Sequence, residues 1–108
     1  MELEVLVVPG CPHQRLAENR LRQALQGAGL VGAGFTTRVI ADQAEAERSG
    51  FTGSPTILID GRDPFAEPGA SPSVACRIYR TPSGPDGAPE VDQLRRALQA
   101  ADDTGGGV

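Results

Sequence analysis

Residues 3 to 8, LEVLVV, are apolar at all positions but one and stop at Pro9-Gly10, after which the apolar residues change to helical spacing. A short valine-rich run closed by two breakers reads as a buried strand. From Pro12 to Ala28, Leu16, Leu21, Ala24, Leu25 and Ala28 share one side of a helix, with Arg15, Glu18, Arg20, Arg22 and Gln23 on the other. Gly27 or Gly29 supplies the stop as a left-handed cap. A strand followed by such a helix must meet its next strand in parallel through a right-handed crossover, so an α/β fold is expected.

The remaining elements follow in the same way. After the glycine-rich turn GLVGAG, residues 35 to 41 (FTTRVIA) read as a second strand, β-branched and partly alternating. DQAEAERSG suits a short acidic helix with Asp42 as its N-cap. Within GSPTILID a third strand runs from Thr56 to Ile59 and ends at the turn pair Asp60-Gly61. Pro64, Pro68 and Pro72 make a loop of the next segment, and its Asp63 and Glu67, like Asp60, read as solvated carboxylates. SVACRIYR alternates Val74, Cys76 and Ile78 against Ala75, Arg77 and Tyr79, which reads as a fourth strand with one face covered. Beyond TPSGPDGAP, the positions Val91, Leu94, Ala97, Leu98 and Ala101 mark a last helix, and DDTGGGV reads as a frayed tail. The expected architecture is α/β in the order βαβ(α)ββα. It has a four-stranded mixed sheet closed by an antiparallel hairpin, with helices on both faces, in one domain over residues 1–101 with a flexible tail over 102–108.

Charge and cysteine usage narrow the function. The net charge is −4 and no stretch gathers arginine beside aromatics, so no nucleic-acid partner is expected. Nothing approaches a membrane span, and Met1-Glu2-Leu3-Glu4 lacks the basic start of a signal peptide, which gives a cytoplasmic expectation with no membrane partner. Two cysteines, Cys11 and Cys76, are too few for a disulfide scaffold or a four-ligand zinc site, so they are expected as thiols whose reactivity is the question. In GCPHQ, Cys11 at the N-cap or first position of a helix would face open N–H groups and the positive end of the helix dipole, with Pro12 suited to the first helical position. His13 would add to the same effect, and all three favour the thiolate. The bland alternatives are a small residue capping a helix for Cys11, a core residue for Cys76, a solvated first-turn side chain for His13, and simple packing for Phe65 and Tyr79.

The element order, with GCPHQ after the first strand and GSPTILIDG before and through the third, resembles the thioredoxin-like superfamily over roughly residues 3 to 101. CPHQ is similar to the CPHC of disulfide-forming oxidants, with Gln14 in place of the second cysteine. GCP, SPTI and CRIYR together also resemble small bacterial thioredoxin-like proteins, some of them labelled as related to alkylmercury lyases. The resemblance implies a cis bond before Pro55, the backbone of Ser54 free to pair with an extended substrate, and Thr56 beside them at the substrate site. It further implies that Cys11 is the catalytic nucleophile, a monothiol cleared by Cys76 or by glutathione or another small thiol as reductant, with no bound cofactor or metal. Substrates would be thiol- or disulfide-bearing proteins or small molecules. The alternative reading is a non-catalytic module of the same fold that binds an extended peptide, a soft metal ion or an organomercurial, since soft metals favour thiolate.

Overall fold

A computed structural model of the protein describes residues 1–30 and 32–106; Val31 of the glycine-rich turn and residues 107 and 108 of the expected tail lie outside the described residues. The chain runs β1 (Leu3–Val7), α1 (Gln14–Gly27), β2 (Thr36–Val39), α2 (Gln43–Ser49), β3 (Thr56–Ile59), β4 (Tyr79–Thr81), β5 (Gly84–Asp86) and α3 (Val91–Gly106). β1 is central in a three-stranded mixed sheet ordered β2-β1-β3, parallel to β2 and antiparallel to β3.

Strand alternation sorts the core into two layers. Leu3, Val5 and Val7 of β1, with Ile57 and Ile59 of β3, meet Ala17, Leu21, Ala24 and Leu25 of α1 and Leu94 and Leu98 of α3. On the opposite face Leu6 and Leu58 meet Ile40, Ala46 of α2 and Phe51. Helices therefore cover both faces, α1 and α3 on one and α2 on the other.

Local chemistry sets the ends of these elements. α1 closes with Leu30 N–H on the Leu25 carbonyl (2.8 Å) and Gly29 N–H on that of Gln26 (3.1 Å), the paired bonds of a Schellman motif. Asp42 caps α2 by accepting the Glu45 N–H at 2.8 Å, and Glu45 returns the bond by accepting the Ala41 N–H at 2.9 Å. Asp60 and Gly61 turn β3 back with φ of 51° and 79°, so that Ile59 and Arg62 exchange both backbone bonds. α3 runs on through residues 102–106, past the boundary at which fraying was expected.

The fourth strand is the main correction. Residues 74 to 78 do not extend the sheet as a hairpin partner of β3. Only Tyr79–Thr81 is strand, and it pairs with β5 in a separate two-stranded hairpin, where Pro85 sits opposite Arg80. Pro85 in a GPD triplet argues against a strand, yet a proline is tolerated where only one edge is paired, as it is here. Residues 73 to 77 instead approach the segment before β3, with a single parallel bridge between Ser54 and Cys76. Val74 and Ile78, expected on a covered face, are exposed, Ile78 to 62%. Arg77 and Tyr79 face inward, because the partners they need lie there, while Ala75 is exposed.

Leu21 is fully buried between α1, α3 and the sheet. Leu21→Ala is expected to cost about 2–5 kcal/mol, read as a lower urea midpoint at unchanged slope.

Candidate functional site around Cys11 and Ser54

The segment leaving β1 carries the first cysteine. Cys11 donates its N–H to the Val8 carbonyl at 3.2 Å, and its own carbonyl accepts the Gln14 N–H at 3.4 Å. α1 begins at Gln14 with His13 as N-cap, so Cys11 lies two residues before the cap and is neither the cap nor the first helical residue. The reason lies with Pro12, whose fixed φ suits the first corner of the Cys11–Gln14 turn as well as the first turn of a helix. Cys11 is 9% exposed and belongs to the apolar layer beneath α1 and α3.

Val8 joins that turn to the segment before β3. Its N–H donates to Ser54 Oγ at 3.0 Å while its carbonyl holds Cys11. The Ser54–Pro55 bond is cis, as the resemblance implied, and both residues are fully buried. The Pro55 carbonyl accepts the Tyr79 hydroxyl. Val8 thus links the Cys11 turn to Ser54, and Tyr79 closes on the same segment through Pro55. Thr56 is buried beside them, donating to the Gly53 carbonyl at 2.6 Å.

Two expected features are differently placed. The backbone of Ser54 is not free: its N–H donates to the Ala75 carbonyl at 2.9 Å and its carbonyl accepts the Arg77 N–H at 3.0 Å. Cys76, which the alternation suggested as a core thiol, is exposed, and both cysteines are free thiols. His13 is directed toward the β5–α3 connection, where its ring lies so close to Gly87 that a methyl group there would collide with it. The Asp86 carboxyl beside it is held below its ordinary range, first by the Gly87 N–H and then by Arg20, with the charges of Arg20 and His13 adding. Its contribution to stability is present above the ordinary carboxylate range and is lost as pH falls through the lowered value.

Arg77 is the feature that sequence reasoning missed. Its guanidinium pairs with Asp63 at 2.6 Å, both side chains being 10% exposed. It also donates to the Phe65 carbonyl at 2.6 Å and lies over the Tyr79 ring, 4.4 Å from the centroid. Phe65 meets Tyr79 edge-on, with ring centroids 5.9 Å apart. Asp63 is therefore a buried partner and not a solvated loop carboxylate. The only signal for it in the chain is the Arg77–Tyr79 alternation, which reads equally well as a polar outer face.

Two clefts flank these elements. One of about 280 Å³ is lined by Thr52, Phe65, Ala70, Arg77, Ile78 and Tyr79, among others. A larger one of about 470 Å³ lies away from both cysteines, between α1 and β2, where Arg22 covers the Phe35 ring.

Compared with protein-family models, curated proteins and solved structures, the chain matches none of them. Among the described residues no helix is long and apolar enough to cross a membrane.

Tyr79 is the only tyrosine, so tyrosinate absorbance reports it alone. Burial raises its pKa far above 10, against the nearby Arg77 charge, which lowers it. The folded protein is expected to show almost no tyrosinate at pH 11, and the stability gained from neutral Tyr79 to be lost as pH climbs above about 10. Removing one partner of the buried ion pair in Asp63→Ala is expected to cost about 3–5 kcal/mol in urea unfolding, with much of the loss recovered in Asp63→Ala/Arg77→Met.

Proposed function

We propose that the protein is a thioredoxin-like thiol-disulfide oxidoreductase that works through Cys11 as a single nucleophile. The observation that carries this reading is the junction at Val8, which ties the Cys11 turn to the cis Ser54–Pro55 segment through two hydrogen bonds. The segments that carry the proposed nucleophile and substrate-contact residues, more than forty residues apart in the chain, are thereby linked through one residue.

The chemistry follows from one thiol. The Cys11 thiolate attacks a substrate disulfide, one sulfur leaves as thiolate, and a mixed disulfide remains on Cys11. With Gln14 in the place of a neighbouring cysteine, a second thiol must complete the exchange. Glutathione or another small thiol attacks the mixed disulfide, releasing the second half of the substrate as a thiol. The resulting disulfide, between Cys11 and the small thiol, is cleared by a further small thiol. The substrate disulfide is reduced by two electrons while two small thiols are oxidised. If Cys76 serves instead, it displaces the substrate thiolate and leaves a Cys11–Cys76 disulfide, which requires the two Cα atoms to come within about 7 Å. The 9% exposure of Cys11 fits a nucleophile that a substrate must approach closely.

A second reading is a non-catalytic module that binds an extended peptide. It is favoured by one observation, that the Ser54 N–H and carbonyl already pair with the backbone of another segment.

Glutathione-dependent reduction of hydroxyethyl disulfide separates the two. Catalysis is expected in the wild type and loss to the uncatalysed rate in Cys11→Ser. Retained turnover in Cys76→Ser would assign the second step to the small thiol, and a mixed disulfide trapped on Cys11 would assign it to Cys76. Equal rates for wild type and Cys11→Ser would remove the enzymatic reading.

A further inference from the structure

The backbone edge proposed for substrate is already filled by the chain itself. Beside the two bonds at Ser54, the Ser73 N–H donates to the Phe51 carbonyl at 3.0 Å, so residues 73 to 77 lie along residues 51 to 54 in parallel with Cys76 opposite Ser54. The bridge is isolated and the backbone bends at Gly53, Val74 and Ala75, so this is a short pairing of two segments and not a ladder; extended peptides dock on exposed backbone through the same kind of paired bonds. Gly53 makes the approach possible: a Cβ there would stand 2.8 Å from Arg77 Cβ.

The hold on this segment is uneven. Val74, Cys76 and Ile78 are exposed, so no apolar seam seals it, and a loop bearing Pro64, Pro68 and Pro72 leads into it. Its attachment is concentrated at Arg77, through Asp63, the Phe65 carbonyl and the Tyr79 ring. We propose that Ser73–Arg77 is a displaceable strap, an internal competitor that occupies the Ser54 edge until an extended peptide replaces it, with the Arg77–Asp63 pair as its latch. The peptide that displaces it best carries an arginine where the strap does, because that side chain takes over Asp63 as well as the edge. The short connection gives the strap a high effective concentration, which sets the threshold a partner must exceed. The inference rests on the reading of the Ser54 edge as the substrate-binding edge, and it adds that the free protein is closed.

The test uses native-state hydrogen exchange and a synthetic peptide of residues 71–80 with Cys76→Ser and a fluorescein label. Two full-length variants loosen opposite ends of the strap: Arg77→Gln, which frees Asp63 for the peptide's arginine, and Ser73→Pro, which removes the bond to Phe51. In the wild type the Ser54 and Arg77 amides are expected to exchange faster than those of the β1–β3 ladder, and each variant to speed them roughly tenfold further without changing the ladder. Both variants are expected to bind the peptide at concentrations where the wild type does not. Exchange of Ser54 and Arg77 only together with the ladder would overturn the proposal, as would loosened variants that fail to take the peptide. Peptide binding in this pattern without Cys11-dependent turnover would uphold the strap and remove only the thiol chemistry.

Discussion

A guanidinium 10% exposed to solvent needs a charge and several acceptors, and the way Arg77 obtains them organises one side of the molecule. Asp63 supplies the charge, Phe65 a carbonyl and Tyr79 a ring face, which folds residues 62 to 66 back over residues 77 to 79. Once Arg77 is held there, its N–H reaches the Ser54 carbonyl and Tyr79 reaches the Pro55 carbonyl. The backbone polar groups around the cis bond are satisfied from within the chain, as buried groups must be.

This arrangement explains why the last third of the chain does not extend the sheet. A fourth strand beside β3 would place Val74, Cys76 and Ile78 against the core and leave Arg77 on the surface. Turned inward, Arg77 and Tyr79 make the ion pair and the bonds to the Phe65 and Pro55 carbonyls, and two aliphatic side chains and a thiol are left exposed. The exposed apolar row is the consequence of that choice, and the separate β4–β5 hairpin supplies the hydrogen bonds that Tyr79–Thr81 would otherwise have found on β3.

On the other side of the molecule the controlling feature is β1. Its alternating side chains feed both core layers, its two edges take β2 and β3, and its end leads directly into the Cys11 turn. The Cys11 turn thus follows the central strand, whereas residues 73–77 opposite Ser54 are held by three backbone bonds and the Arg77 side chain. Under the proposed function a fixed attacking group and a movable edge are opposite demands, and they would fall on different segments of this fold.

The local elements were legible in the residues because their causes are local. Valine-rich runs, helical spacing, the Asp42 cap and the Asp60-Gly61 turn depend on neighbours a few positions away, and each appears within a few residues of its expected place. The two-layer core was legible for the same reason, since alternation in β1 and the faces of α1 and α3 declare what must be covered. Partners distant in the chain were not. That Asp63 is buried, that the Ser54 backbone is occupied, that Cys76 is exposed and that His13 turns to Gly87 are settled by contacts between segments whose spacing carries no periodic signal. An alternating run states that a strand has two faces. Which face turns inward is decided by the acceptors and charges that the rest of the fold brings to meet it.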